Sequence, residues 1–176
     1  MQTAPDRATQ RCDMTGDDAV ERARACFLDD RRDLGCAETC LVVLRSAFEL
    51  DGAADPSAAM ALNGGIAYSG GMCGAISGAG IALGELAARR LPDRAVAKRV
   101  ARGIVQHLID GFEREFGAVD CRDLIGMELR APGAHDAFLA SGIWRDRCMH
   151  QVEFVVREMA ALSDEAAWNQ VLREIG

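Results

Sequence analysis

Cys36-Ala37-Glu38-Thr39-Cys40-Leu41-Val42-Val43-Leu44-Arg45-Ser46-Ala47-Phe48 is the stretch that decides the fold. Its apolar run is too long for an ordinary strand, which spans about five or six residues. It follows Asp33-Leu34-Gly35 and is closed by Asp51-Gly52, so it reads as a buried helix. Upstream, Asp17 and Asp18 precede Ala19, Val20, Ala23, Cys26 and Phe27 at spacings of three and four, an amphipathic helix ending near Asp29 or Asp30. Downstream, Asp55 caps and Pro56 opens a short helix that stops at Asn63-Gly64-Gly65.

The pattern continues helical to the end. Tyr68 to Arg90 starts as a glycine-rich loop and becomes a helix ending before Pro92. Pro92-Asp93 opens a long helix with Val96, Val100, Ile104, Leu108 and Phe112 on one stripe. Arg89, Arg90, Arg94, Lys98, Arg99 and Arg102 form a basic set expected to be a solvated face. Gly117 ends this helix, Asp120 caps a short one carrying Cys121, Leu124 and Ile125, and His135 to Ser141 add another turn. Ile143 to Leu162 places Cys148, Val152, Val155 and Met159 on one stripe, and Ser163-Asp164 caps a last helix through Ile175. No period-two strand competes, so the fold class is all-α, a single-domain bundle of about six to eight helices. Residues 1–16 are polar and unpatterned, an expected frayed lead-in, and 17–176 form the helical domain.

Composition agrees with one core. The chain has 176 residues, 49% of them apolar and only 5% aromatic, with 18 glycines, so helices must pack closely through small side chains. The net charge of −7 argues against nucleic acid or an anionic membrane as main partner. The weakly charged stretch Ala61 to Ala87 is too rich in glycine, and too interrupted by Asn63, Ser69, Ser77 and Glu85, for a membrane span. Met1 to Arg7 lacks the basic-then-apolar order of a secretory signal, so the expected location is the cytoplasm. The glycines Gly78, Gly80 and Gly84 in one helix each cost about 1 kcal/mol relative to alanine, and close helix packing is the expected reason.

The seven cysteines stand at 12, 26, 36, 40, 73, 121 and 148, with no C-x-x-C. That removes the thioredoxin motif, zinc ribbons and the bacterial ferredoxin run. In a reducing compartment a standing disulfide framework is not expected. Cys36, Cys73 and Cys121 fall at predicted helix starts, where the thiolate is favoured over the thiol. Cys148 lies early in its own helix beside Arg145 and Arg147, and Arg122 adjoins Cys121, so all four are expected to be activated. Cys12 and Cys26 are expected to be exposed or to act as small core hydrophobes. Cys36 and Cys40 are i and i+4 on one helix face, able to share a metal, form a redox pair or fill the core. His107, His135 and His150 form no paired ligand motif, and hydrolase, nucleotide and zinc-protease signatures are absent.

Gly35-Cys36-Ala37, then Cys73-Gly74-Ala75-Ile76-Ser77-Gly78, then Cys121, then Cys148, resembles the C-GCAxxG-C-C family of redox-active proteins, over roughly Ala19 to Leu162. The resemblance implies a small helical protein with four family cysteines, here Cys36, Cys73, Cys121 and Cys148. The sequence departs from the pattern in its longer amino end, in Cys40, and around Arg130 to Gly142.

The first expectation is a redox centre held by the four sulfurs, an iron-sulfur cluster for electron transfer, with Gly74 and Gly78 leaving space for it. The second is a thiol/disulfide oxidoreductase in which two of the four exchange, Cys36 with Cys73. The third is a module in which thiolates, Cys40 included, hold zinc or copper. A redox partner or small molecule is implied without being named.

Overall fold

Helix α2 (Cys36–Ala47) is the axis of the fold because its sequence is apolar on every side; Ala37 through Arg45 are all buried. In this computed structural model, which describes residues 16–31 and 33–175, α2 is surrounded by α1 (Gly16–Phe27), α3 (Gly74–Arg90) and α7 (Met149–Ala160). Helix α4 (Arg94–Phe116) packs on α3 and α7, and α8 (Glu165–Ile175) packs on α4. The short helices α5 (Cys121–Ile125) and α6 (Ala134–Ser141) complete an all-α bundle. Among the described residues there is no strand, only an isolated antiparallel bridge between Met72 and Asp120, and no helix is long and apolar enough to cross a membrane. The expected lead-in, with Cys12, lies outside the described residues, except that Gly16 already opens α1.

Local chemistry explains the boundaries. The Asp93 carboxylate accepts from the Ala95 and Val96 N–H groups at 2.7 and 3.1 Å, starting α4, and Gly117 ends it at φ +76°. On α4 the stripe Val100, Ile104, Leu108 and Phe112 is buried, with Val96 half-buried. Asp164 caps α8 through Ala167 N–H at 2.9 Å. Asp120 behaves differently from expectation. It precedes α5 without a side-chain cap, and its backbone carbonyl instead accepts from Asp123 and Leu124. The third segment is a 3-10 turn (Ser57–Leu62), with Asp55 accepting from Ser57 N–H at 2.9 Å. The stretch expected as one helix from Ile143 is divided into a π-helical turn (Trp144–Cys148), α7, and a 3-10 turn (Ala161–Ser163).

Packing refines two expectations. Arg89, Arg94, Lys98, Arg99 and Arg102 are exposed, as expected of a solvated face, and Arg90 is half-buried. Arg89 donates to the Phe48 and Glu49 carbonyls beyond α2, and Arg90 to those of Leu162 and Ser163, satisfying chain ends that helices leave without partners. The glycines of α3 also divide. A Cβ on Gly78 would overlap the backbone of Ala37, so this residue does let α3 close on α2. Gly80 barely reaches Val105, and a Cβ on Gly84 would meet nothing within 4 Å, so close packing does not account for Gly84. Across the same interface Arg45 holds Glu85 through two contacts of 2.6 and 2.8 Å and donates to the Asp55 carbonyl at 2.8 Å.

Candidate thiol site

All four expected cysteines stand at helix starts or turns. Cys36 is the first residue of α2, Cys73 immediately precedes α3, Cys121 is the first residue of α5, and Cys148 joins the π-helical turn to α7. The Met72–Asp120 bridge ties two of these segments together, with Cys73 N–H on the Val119 carbonyl at 2.8 Å and Cys121 N–H on that of Gly71 at 2.7 Å.

Their surroundings set them apart chemically. Cys36 is held below the ordinary thiol range, chiefly because the Cys73 thiol hydrogen-bonds to its sulfur; the backbone N–H groups of Gly64, Ala37 and Cys36 act in the same direction, against burial. Cys73 is driven well up by that bond to Cys36, by burial and by the Cys36 charge. The pair therefore releases its first proton early, at Cys36, and holds the second. Burial pushes Cys121 up to about 12, helped by the charges of Cys36 and Asp120. Cys148 is also raised, by burial first and then by Cys36 and Cys121, with Arg147 opposing too weakly to reverse it.

The expectation of four activated thiols thus reduces to one. Burial and the first thiolate outweigh position at a helix start. Two of the expected cationic neighbours are engaged elsewhere, Arg122 with Glu128 at 3.1 Å and Arg145 with Asp30 at 3.2 Å, and only Arg147 acts on its cysteine. Cys40 is fully buried and raised by burial and the Cys36 charge, so it is a core thiol beside the site. Cys26 is buried in the core.

The seat of Cys36 is built by residues that the cysteine pattern does not reveal. Asn63 Oδ1 accepts Ala37 N–H at 3.0 Å and lies 3.8 Å from Cys36 Sγ, while its Nδ2 donates to Glu38 at 2.8 Å. Glu38 in turn accepts Gly35 N–H at 2.9 Å, closing the first turn of α2. Gly35-x-x-Glu38 is a legible capping signal; the role of Asn63, 27 residues beyond Cys36, is not. A Cβ on Gly35 would overlap the Asn63 amide, and one on Gly74 would stand 2.5 Å from Cys36 Sγ. The space at Gly74 and Gly78, expected to admit a cofactor, is taken by the Cys36 sulfur and the Ala37 backbone.

After Asn63 the chain runs through five consecutive left-handed residues: Gly64, Gly65, Ile66, Ala67 and Tyr68, at φ +63, +71, +63, +49 and +60°. Three of them carry side chains, at about 1–2 kcal/mol each. Ala67 N–H on the Ala61 carbonyl at 2.8 Å and Gly70 N–H on that of Gly64 at 3.0 Å hold the turn, with the Ser69 hydroxyl on the Gly65 carbonyl. The turn aims Gly64 N–H at the Cys36 sulfur and carries Tyr68 to the wall of a cavity of about 610 Å³.

Cys36, Cys121 and Cys148 open onto this cavity; Cys73, 2% exposed and with Gln151 Oε1 3.7 Å from its sulfur, does not. His135, on α6, lies against Tyr68 at 4.7 Å between ring centroids, and Phe27 meets Trp144 edge-on at 5.7 Å. His150 is at the surface near Asp146, and His107 lines a separate cavity beside α4 and α7. Thiolates are the right donors for iron, zinc or copper(I). As the side chains stand, however, no group of three or more His, Cys, Asp or Glu among the described residues is arranged to hold a metal ion.

An all-α bundle with single cysteines at its helix starts, one held below the ordinary thiol range beside others held above it, defines a thiol-centred class of protein. The chain belongs to the C_GCAxxG_C_C family, described as "putative redox-active protein", whose family model matches residues 34–162 and so includes all four cysteines but not α1. No curated protein and no solved structure matches the chain.

Proposed function

We propose that this redox-active protein is a thiol/disulfide oxidoreductase in which Cys36 is the attacking thiolate and Cys73 the resolving thiol. The seat of the Cys36 sulfur against the start of α3, where a Cβ on Gly74 would stand 2.5 Å from it, carries this reading, and it goes with a Cys36 thiol held below its ordinary range and a Cys73 thiol held above it. Cys36 faces the cavity and can be reached by a substrate, whereas Cys73 lies behind it. That is the order needed for attack followed by resolution. The absence of C-x-x-C is met by bringing the two residues together from the starts of α2 and α3. A reducing, cytoplasmic setting suits such a pair.

The test is mass spectrometry of the protein equilibrated in redox buffers of graded potential. A Cys36–Cys73 disulfide is expected; Cys73→Ser should accumulate a mixed disulfide at Cys36, and Cys36→Ser should form neither. Failure to find that disulfide at any potential overturns the reading.

A second reading, an iron-sulfur, zinc or copper centre on Cys36, Cys73, Cys121 and Cys148, rests on the reach of the Cys36 charge to all three other thiols. It requires the sulfurs to rearrange and three raised thiols to ionise. Elemental analysis and absorption spectra of anaerobic protein decide between the readings: stoichiometric iron and sulfide, or another metal lost with Cys121→Ser, would favour the metal centre.

A further inference from the structure

The cavity in front of Cys36 has a mixed chemistry that selects its substrate. Its walls are aromatic and apolar: Phe27, Tyr68, Phe138 and Trp144, with Met60 and Leu139 at the exposed margin. Its charged lining is of one sign. Asp29, Asp30, Asp33 and Glu38 contribute carboxylates, and among the described residues no Lys or Arg lines it. Arg31 and Arg145 pair with Asp29 and Asp30 from outside the lining, and Arg145 covers the Trp144 ring at 4.2 Å. A cleft with low-dielectric walls and one sign of charge focuses its field and raises or lowers the rate at which charged molecules arrive. Aromatic faces add attraction for flat or cationic groups.

We propose that the substrate of Cys36 is an uncharged or cationic disulfide with an apolar or aromatic body, and that anionic disulfides are excluded. This rests on the thiol/disulfide reading above. Cys36 S⁻ attacks one sulfur of R–S–S–R, the Cys36–S–SR bond forms, and RS⁻ leaves with the electron pair of the broken S–S bond. Cys73 then attacks the Cys36 sulfur and expels the second RS⁻, its proton passing to the departing thiolate. The substrate gains two electrons, leaving as one thiol and one thiolate that takes its proton from water, and the protein loses two as the Cys36–Cys73 disulfide.

The test compares two aromatic disulfides of similar size, neutral dithiodipyridine and the dianionic dithiobis(nitrobenzoate), on full-length protein carrying Cys12→Ser. Rates due to Cys36 are taken by difference from Cys36→Ser in the same background, each normalised to mercaptoethanol. The neutral probe should be preferred at least roughly tenfold over the anionic one at low ionic strength, with the preference shrinking as salt is added. Asp29→Asn, Asp30→Asn and Asp33→Asn combined should bring the two rates together, and Tyr68→Ala should slow dithiodipyridine more than the dication cystamine. Equal normalised rates for both probes would overturn the charge selection while leaving the thiol reading standing. A Cys36-dependent rate of zero with every probe would overturn the thiol reading itself.

Discussion

The methyl that Gly74 lacks would stand 2.5 Å from the Cys36 sulfur, so the glycine at the start of α3 is the seat of the thiolate at the start of α2. Gly74→Ala forces the sulfur off the Cys73 thiol and the backbone donors that lower it. The expected result is a loss of about 1–3 kcal/mol in stability and a slower iodoacetamide reaction at neutral pH. Gly84→Ala in the same helix meets nothing and should gain up to about 1 kcal/mol. Urea titrations and alkylation rates of the two variants check both halves.

Asn63 touches Cys36, Ala37 and Glu38 at once, with its nitrogen on the Glu38 carboxylate and its oxygen on the start of α2. Asn63→Asp keeps the shape and adds a negative charge beside a thiolate and a carboxylate. Like charge disfavours ionisation, so the pH at which Cys36 reaches half its maximal alkylation rate should move up. An unmoved midpoint with intact folding would show that Asn63 only positions the helix.

The frame of the fold was open to reading because it is local chemistry. The all-round apolar run of α2, the period of α4, and the Asp93, Gly117 and Asp164 signals each act within a few residues. The four cysteines were likewise visible as a pattern. Which of them ionises was not, because the answer depends on Cys73 and Gly64 reaching Cys36 through tertiary packing. The left-handed run through Ile66, Ala67 and Tyr68 was hidden for a related reason. Those residue types disfavour that conformation, and only the contacts around Gly64 and Gly70 hold them in it. The stretch expected as one helix from Ile143 shows the same limit, its stripe legible and its π-helical turn at Cys148 not.

The contribution of the thiols to stability should peak near the ordinary thiol range and fall on its alkaline side. Below that range, but above the lowered Cys36 value, the unfolded chain keeps a proton at Cys36 that the folded protein has released, so stability rises with pH. Above it, up to about 12 for Cys121, the unfolded chain has released a proton that the folded protein still holds, and stability falls. Each raised thiol contributes at most about 1.4 kcal/mol per pH unit to that fall. Urea midpoints across pH should show a shallower alkaline decline for Cys121→Ala than for the parent protein.

Thr39, one turn into α2, is fully buried, and its hydroxyl oxygen has no hydrogen-bond partner. A buried hydroxyl without a partner costs roughly 1–3 kcal/mol in desolvation. Thr39→Val retains the β-branched shape, leaves the helix backbone unchanged and removes that cost. The expected outcome is a gain of about 1 kcal/mol in the urea-derived stability with no change in the Cys36 alkylation rate. A loss of stability would mean that the hydroxyl is satisfied in solution by a bound water or ligand that the valine evicts. In that case the Cys36 rate, measured on the same variant, would report whether that group belongs to the thiol site.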